Sequence, residues 1–244
     1  MSRRRALVVF TRSPEAEARA KGFSSASAAP LFRALLDSWV RLARETGTDL
    51  VLASPAACRR RLEGSGIAPE ARFLTQRRAA FGERVAAIFR ETFALGFESV
   101  VLVGADGPAI EPRDLRRAFA AAEAGEVALG PANDGGVYLI GMDGRDADLA
   151  RCLRLRDPRA LVSLLSAAAD RRRGVVLFAP RREIDSTLDA VRVRGLAGVD
   201  PDWSDYRLLL ELALRPACPA RRLHRPAAPA PFSLGRAPRG PPAA

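Results

Sequence analysis

Short, mostly apolar runs recur along this 244-residue chain, and segments with helical spacing lie between them. The runs are Ala6-Leu-Val-Val-Phe10, Leu50-Val-Leu-Ala53, Arg72-Phe-Leu-Thr75, Ser99-Val-Val-Leu-Val103, Val127-Ala-Leu129, Val137-Tyr-Leu-Ile140 and Gly174-Val-Val-Leu-Phe178. A strand with no polar alternation must be covered on both faces. Leu31, Leu35, Trp39 and Leu42 repeat at helical spacing and stop at Gly47. Phe81, Val85, Ile88, Phe89 and Thr92 do the same and stop at Gly96. Further helices are expected over about 55–62, from about Glu111 with Pro112 in its first turn, over about 158–169, from about Glu183 and over about 204–214. Residues Thr11 to Ser25 read as a charged loop. This alternation predicts an α/β domain whose mostly parallel sheet is sandwiched between helices. Val137–Ile140 follows Val127–Leu129 too closely for a helical crossover, so one strand is expected to run antiparallel.

No stretch reaches the roughly 20 apolar residues of a membrane span. The basic start Met1-Ser-Arg-Arg-Arg5 is followed by an apolar run too short for a secretory signal, so the expected location is the cytoplasm. The three cysteines are far apart and form neither a disulfide framework nor a zinc motif. His224 is the only histidine and lies in a Pro-, Ala- and Arg-rich tail, which removes histidine-based triads and multi-histidine metal sites. Of the net charge of +11, six arginines between 215 and 244 supply +6. Lys21 is the only lysine. One domain over 1–214 and a disordered tail over 215–244 are therefore expected. An Arg-rich nucleic-acid binder is the least favoured function, because no recognisable binding module accompanies the charge.

Chemistry must then rest on carboxylates, arginines and backbone amides. In open α/β sheets, ligands bind beyond the carboxyl ends of the strands. Asp106 stands there between Gly104 and Gly107, suited either to hold a hard cation or to cap the next helix. Asn133-Asp-Gly-Gly136 reads as a hairpin turn, or as a ligand loop in which the Gly135 and Gly136 amides face an anion and Asp134 orients a hydroxyl. Asp185 is a candidate second metal ligand or a helix cap, with Ser186 and Thr187 as rival caps. Arg12, Arg19, Lys21, Gln76 and Arg77 could meet phosphate oxygens or simply face solvent.

Together these segments resemble the DUF2064 group of bacterial glycosyltransferase-like proteins with a GT-A fold. That group is similar to the guanylyltransferases that activate phosphoenolpyruvate or phospholactate. The resemblance rests on Gln76-Arg77 with Phe81-Gly-Glu-Arg84, Val103-Gly-Ala-Asp-Gly-Pro108, Leu129-Gly-Pro-Ala-Asn-Asp-Gly-Gly-Val-Tyr-Leu-Ile-Gly141 and Ile184-Asp-Ser-Thr-Leu-Asp189. It implies a GT-A (nucleotide-diphospho-sugar transferase-like) fold, with Mg²⁺ or Mn²⁺ on Asp106 and Asp185. The family's usual Pro-Gly-Arg-x-Lys-Thr-Arg-Leu loop is replaced here by Arg12-Ser-Pro-Glu-Ala-Glu-Ala-Arg-Ala-Lys-Gly22, and its Asp-Cys-Pro by Asp106-Gly-Pro108.

The expected function is metal-dependent transfer from a nucleotide or nucleotide-sugar donor to a small acceptor. Asp106 and Asp134 are the candidate catalytic residues, with Asp134 the candidate base for glycosyl transfer. The expected nucleotide and phosphate contacts are Arg12, Arg19, Lys21, Gln76, Arg77, Gly135 and Gly136. The alternative, motivated by the altered first loop, is a nucleotide- or metabolite-binding protein without turnover.

Overall fold

The computed structural model describes residues 4–215. The expected tail, with Cys218 and His224, lies from residue 216 onward outside the described residues.

Seven strands form one sheet: β1 (Arg5–Phe10), β2 (Asp49–Pro55), β3 (Arg72–Gln76), β4 (Ser99–Gly104), β5 (Val127–Pro131), β6 (Val137–Asp143) and β7 (Val175–Leu177). Their order is β3-β2-β1-β4-β6-β5-β7. All pairings are parallel except those of β6, which runs antiparallel to β4 and β5, as its short connection requires. Reversal of β6 brings its first residue, Val137, to the same edge as the carboxyl ends of its neighbours.

The helices are α1 (Pro14–Ala20), α2 (Ser25–Thr46), α3 (Ala56–Glu63), α4 (Phe81–Ala94), α5 (Pro112–Glu123), α6 (Ala160–Asp170), α7 (Thr187–Leu196) and α8 (Arg207–Ala213). A 3₁₀ segment spans Gly144–Cys152. Strand β1 shows why its apolar run is unbroken. Leu7 and Val9 join one core with Trp39 of α2 and Phe119 of α5, while Ala6 and Val8 join the opposite core with Phe89 of α4 and Leu164 of α6. All four of those strand residues are fully buried. A third cluster packs Ala18 of α1 and Leu31 and Phe32 of α2 against Ile184, Val193 of α7, Trp203 and Leu210 of α8.

Two boundaries correct the sequence reading. The loop expected over Thr11–Ser25 contains α1, which Pro14 opens and Glu15 and Glu17 suit by their charge near its positive end. Helix α7 begins at Thr187, not near Glu183. Among the described residues, no helix is long and apolar enough to cross a membrane.

Candidate functional site

The carboxyl ends of the strands enclose a cavity of 220 Å³. Asp106 reaches it from the loop after β4. Helix α2 holds that loop in place. The Trp39 indole donates to the Gly107 carbonyl at 3.1 Å, and Ser38 Oγ accepts from the Ala109 amide at 3.0 Å. The loop in turn fixes the 182–185 segment, since the Ile184 amide donates to the Asp106 carbonyl at 3.0 Å. Glu111 occupies the N-cap position of α5 without a side-chain cap hydrogen bond, and Asp106 lies five residues before it, so Asp106 is not the cap. Ser186, whose hydroxyl accepts from the Asp189 amide, caps α7 and leaves Asp185 to face the cavity.

Lys21, at the end of α1, turns inward. Its ammonium lies 2.9 Å from Asp106 Oδ2, 2.9 Å from Asp185 Oδ1 and 3.7 Å from Glu17 Oε1, and also donates to the Ile184 carbonyl. Its side chain is only 4% exposed. Burial disfavours the ammonium, but Asp106, Asp185 and Glu17 outweigh it and hold the pKa above the ordinary lysine value.

Glu183 lines the same cavity, close enough that a Cβ on Gly104 would stand 3.3 Å from its Oε1. Burial, then Asp106 and Asp185, push its pKa up to about 8. Burial likewise raises Asp106 to about 6, with Lys21 opposing and Glu17 and Asp185 reinforcing. This wall therefore carries more acid than Lys21 can balance.

Arg12 does not supply the balance freely. One of its terminal nitrogens sits 3.1 Å from each oxygen of Glu17. Gln76 is buried, and its amide nitrogen donates to the Ala53 and Thr11 carbonyls at 2.8 and 3.3 Å. Its oxygen accepts from Arg84 at 3.2 Å. Gln76 thus ties β1 and β2 to α4. Arg19 is exposed and does not line the cavity. Arg77 lies outside it too, paired with Glu91 on α4 at 2.7 Å.

The Asn133–Gly136 segment closes on itself as a turn. The Gly136 amide donates to Asp134 Oδ1 at 2.9 Å and the Gly135 amide to the Ala132 carbonyl at 3.1 Å. The two amides expected to face an anion are spent inside the turn. Asp134 itself is exposed at the cavity rim.

Three arginines that line the cavity were not anticipated. Arg84, from the first turn of α4, lies against Phe10 and Phe81, with its guanidinium carbon 5.8 and 5.5 Å from their ring centres. Among the described residues its buried Nε has no partner, and burial, then nearby Arg12, lowers its pKa. Arg154 and Arg156 line the cavity from the loop between the 3₁₀ segment and α6. The string Phe81-Gly-Glu-Arg84 was a visible signal for Arg84, whereas Arg154 and Arg156 belong to no motif.

Among the described residues, no three His, Cys, Asp or Glu side chains are arranged to hold a metal. Side chains at the cavity still offer the donor type such an ion takes. Asp106, Asp185 and Glu183 line one cavity, and carboxylate oxygens are the donor type of Mg²⁺ and Mn²⁺.

A mostly parallel seven-stranded sheet flanked by helices matches the fold of nucleotide-diphospho-sugar transferase-like structures. The resemblance of the sequence to DUF2064, a family described as uncharacterized proteins conserved in bacteria, holds over residues 36–155. Among solved structures, the chain is similar to a "putative nucleotide-diphospho-sugar transferase" from Desulfovibrio desulfuricans G20. The two share 20% identity and a TM-score of 0.70, over 86% of this chain and 98% of that one. It is similar to Rv0371c of Mycobacterium tuberculosis H37Rv in complex with manganese, at 20% identity and a TM-score of 0.50, over 86% of this chain and 100% of that one. It is also similar to the inositol-1-phosphate CTP transferase of T. maritima, at 15% identity and a TM-score of 0.53, over 87% of this chain and 97% of that one. No curated protein matches the chain in sequence.

Proposed function

We propose that the protein is a transferase that takes a nucleotide or nucleotide-sugar donor and a divalent cation, Mg²⁺ or Mn²⁺, and passes a nucleotidyl or glycosyl group to a small acceptor. The observation that carries this reading is one cavity lined both by carboxylates, among them Asp106, Glu183 and Asp185, and by the arginines Arg84, Arg154 and Arg156. The related folds, one holding manganese and one named for CTP transfer, support it.

Asp106 and Asp185 would hold the cation, and Lys21, already between them, would have to yield or share that position. A bound cation supplies neutralisation of the charge that develops on phosphate oxygens. The arginines add fixed positive charge, and such chemistry needs mainly positioning and charge, so it requires no histidine. Nucleotidyl transfer to an acceptor anion needs no base. Glycosyl transfer to a hydroxyl wants one, and Asp134 at the rim is the available carboxylate. The cytosol, which holds both nucleotides and Mg²⁺, is where such an enzyme would work.

Thermal unfolding with a panel of nucleoside triphosphates and nucleotide sugars, each with and without Mg²⁺ or Mn²⁺, tests the reading. Stabilisation by at least one donor, enhanced by metal, is expected. If none stabilises the protein, the reading falls. Pyrophosphate release marks nucleotidyl transfer and nucleoside diphosphate release marks glycosyl transfer. An Asp134→Asn variant with full activity would remove the base role.

The contacts of Lys21 and Arg12 favour a second reading, a nucleotide-binding protein without turnover, because both cations near the first strand are neutralised by acids of the chain itself. Product formation that depends on Asp106 excludes it.

A further inference from the structure

The positive charge expected to meet phosphate was placed by the sequence on Arg12 and Lys21, yet both are engaged by carboxylates. Among the described residues, neither Arg154 nor Arg156 has an acid partner, and both are exposed while lining the cavity. The loop that carries them is pinned at both ends. At one end, Gly82 of α4 lies so close to the main chain that a Cβ there would stand 2.5 Å from the Arg151 carbonyl and 2.7 Å from that of Leu153. At the other, a Cβ on Gly135 would stand 2.1 Å from the Pro158 carbonyl, and the Leu161 amide donates to the Gly135 carbonyl at 3.2 Å. Arg84, two residues on from Gly82 in α4, lines the same cavity.

Between the pins, Arg156 adopts φ 57°, in the left-handed region where a side chain is disfavoured. Arg172 also has a positive φ, but it follows the end of α6, where that conformation is an ordinary helix stop. Arg156 has no helix to end. Arg156 lies in a turn of this fixed loop, and two arginines without acid partners held at a cavity are suited to meet an anion.

We propose that Arg154 and Arg156, with Arg84, form a phosphate-binding subsite that works without metal and is separate from the carboxylates that would take the cation. The phosphate is either that of a phosphorylated acceptor or part of the donor's own tail. The subsite deepens the transferase reading by naming a ligand class for its cavity, and it can be measured without turnover, so the two can fail separately.

The test is calorimetric titration of the full chain with inorganic phosphate and with pyrophosphate, at low ionic strength and without divalent metal. Binding is expected. It should weaken at least tenfold in Arg154→Ala/Arg156→Ala and persist in Asp106→Asn. Arg156→Gly should lose affinity while its Tm holds or rises, because glycine takes the positive φ without strain. No binding by the wild type, or affinities within twofold in these arginine variants, overturns the proposal. Repeating the titration at saturating nucleotide separates the sources. Retained phosphate binding assigns the subsite to the acceptor. Displacement assigns it to the donor tail if the double variant also binds nucleotide more weakly, and overturns the proposal if it does not. If no nucleotide binds but phosphate does, the subsite stands and the transferase reading falls.

Discussion

The Lys21 ammonium stands 2.9 Å from Asp106 Oδ2, with 4% of the lysine side chain exposed. A buried amine in this position is an internal counter-charge where a divalent cation is expected to act. Lys21→Met should leave Asp106 and Asp185 facing each other without their counter-charge, while Glu17 keeps Arg12, at a cost of about 3–5 kcal/mol. Millimolar Mn²⁺ should restore most of that loss, while the same concentration of a monovalent salt should not. Chemical denaturation with and without Mn²⁺ measures both, and recovery that is equal in the two salts would exclude the cation role.

The raised pKa values of Asp106, to about 6, and Glu183, to about 8, fix a pH dependence. Both carboxyls hold protons in the folded state that they lose when unfolded. Their contribution is therefore most favourable below the ordinary carboxyl range and fades as pH rises, through about 6 for Asp106 and about 8 for Glu183. Each group can add a slope of at most about 1.4 kcal/mol per pH unit. Glu183→Gln should flatten the upper part of the curve. Mn²⁺ should move the whole fall to lower pH, because a cation favours the ionised forms. Urea denaturation from pH 5 to about pH 9 is the measurement.

Gly135 has φ 89°, and a Cβ added to it would stand 2.1 Å from the Pro158 carbonyl oxygen. Gly135→Ala must move main chain against main chain, so a loss of about 1–3 kcal/mol or more is expected. The displaced segment carries Arg154 and Arg156, so phosphate affinity should fall with stability. Gly195→Ala, in α7 with open space around its Cβ, should be neutral or slightly stabilising and leave that affinity unchanged.

Trp39 is 1% exposed and donates to the Gly107 carbonyl next to Asp106. Trp39→Phe keeps the ring burial but leaves that carbonyl without its donor, which should cost about 1–3 kcal/mol. Because the same loop aims Asp106, Mn²⁺ affinity should drop several-fold in titrations of the folded variant.

The sheet was legible because a strand buried on both faces needs an unbroken apolar run, and β1 and β4 have one. The reversal of β6 followed from the length of its connection. Asp106 stood out because little but a ligand or a cap explains an acid after such a strand; the start of α5 at Glu111 removes the cap, and the ligand role is the one proposed above. Helix α1 was hidden because its seven residues show no apolar period and Ala18 is its main buried apolar side chain. The inward turn of Lys21 depends on acids 85 and 164 positions away, which no local pattern reveals. Gln76 was read as a ligand contact because nothing local shows that main-chain carbonyls use up its amide. Arg154 and Arg156 were lost among the chain's many arginines, and only the pinned loop distinguishes them.

Lys21 has a practical consequence. Apart from the chain's amino terminus, its side chain is the one primary amine in the sequence. Amine-directed labelling therefore has a single internal target, buried and held in its unreactive, protonated form. Any ligand that draws Asp106 and Asp185 away from it would change its reactivity, so mass spectrometry of one modified peptide could report occupancy of the cavity without a substrate being known.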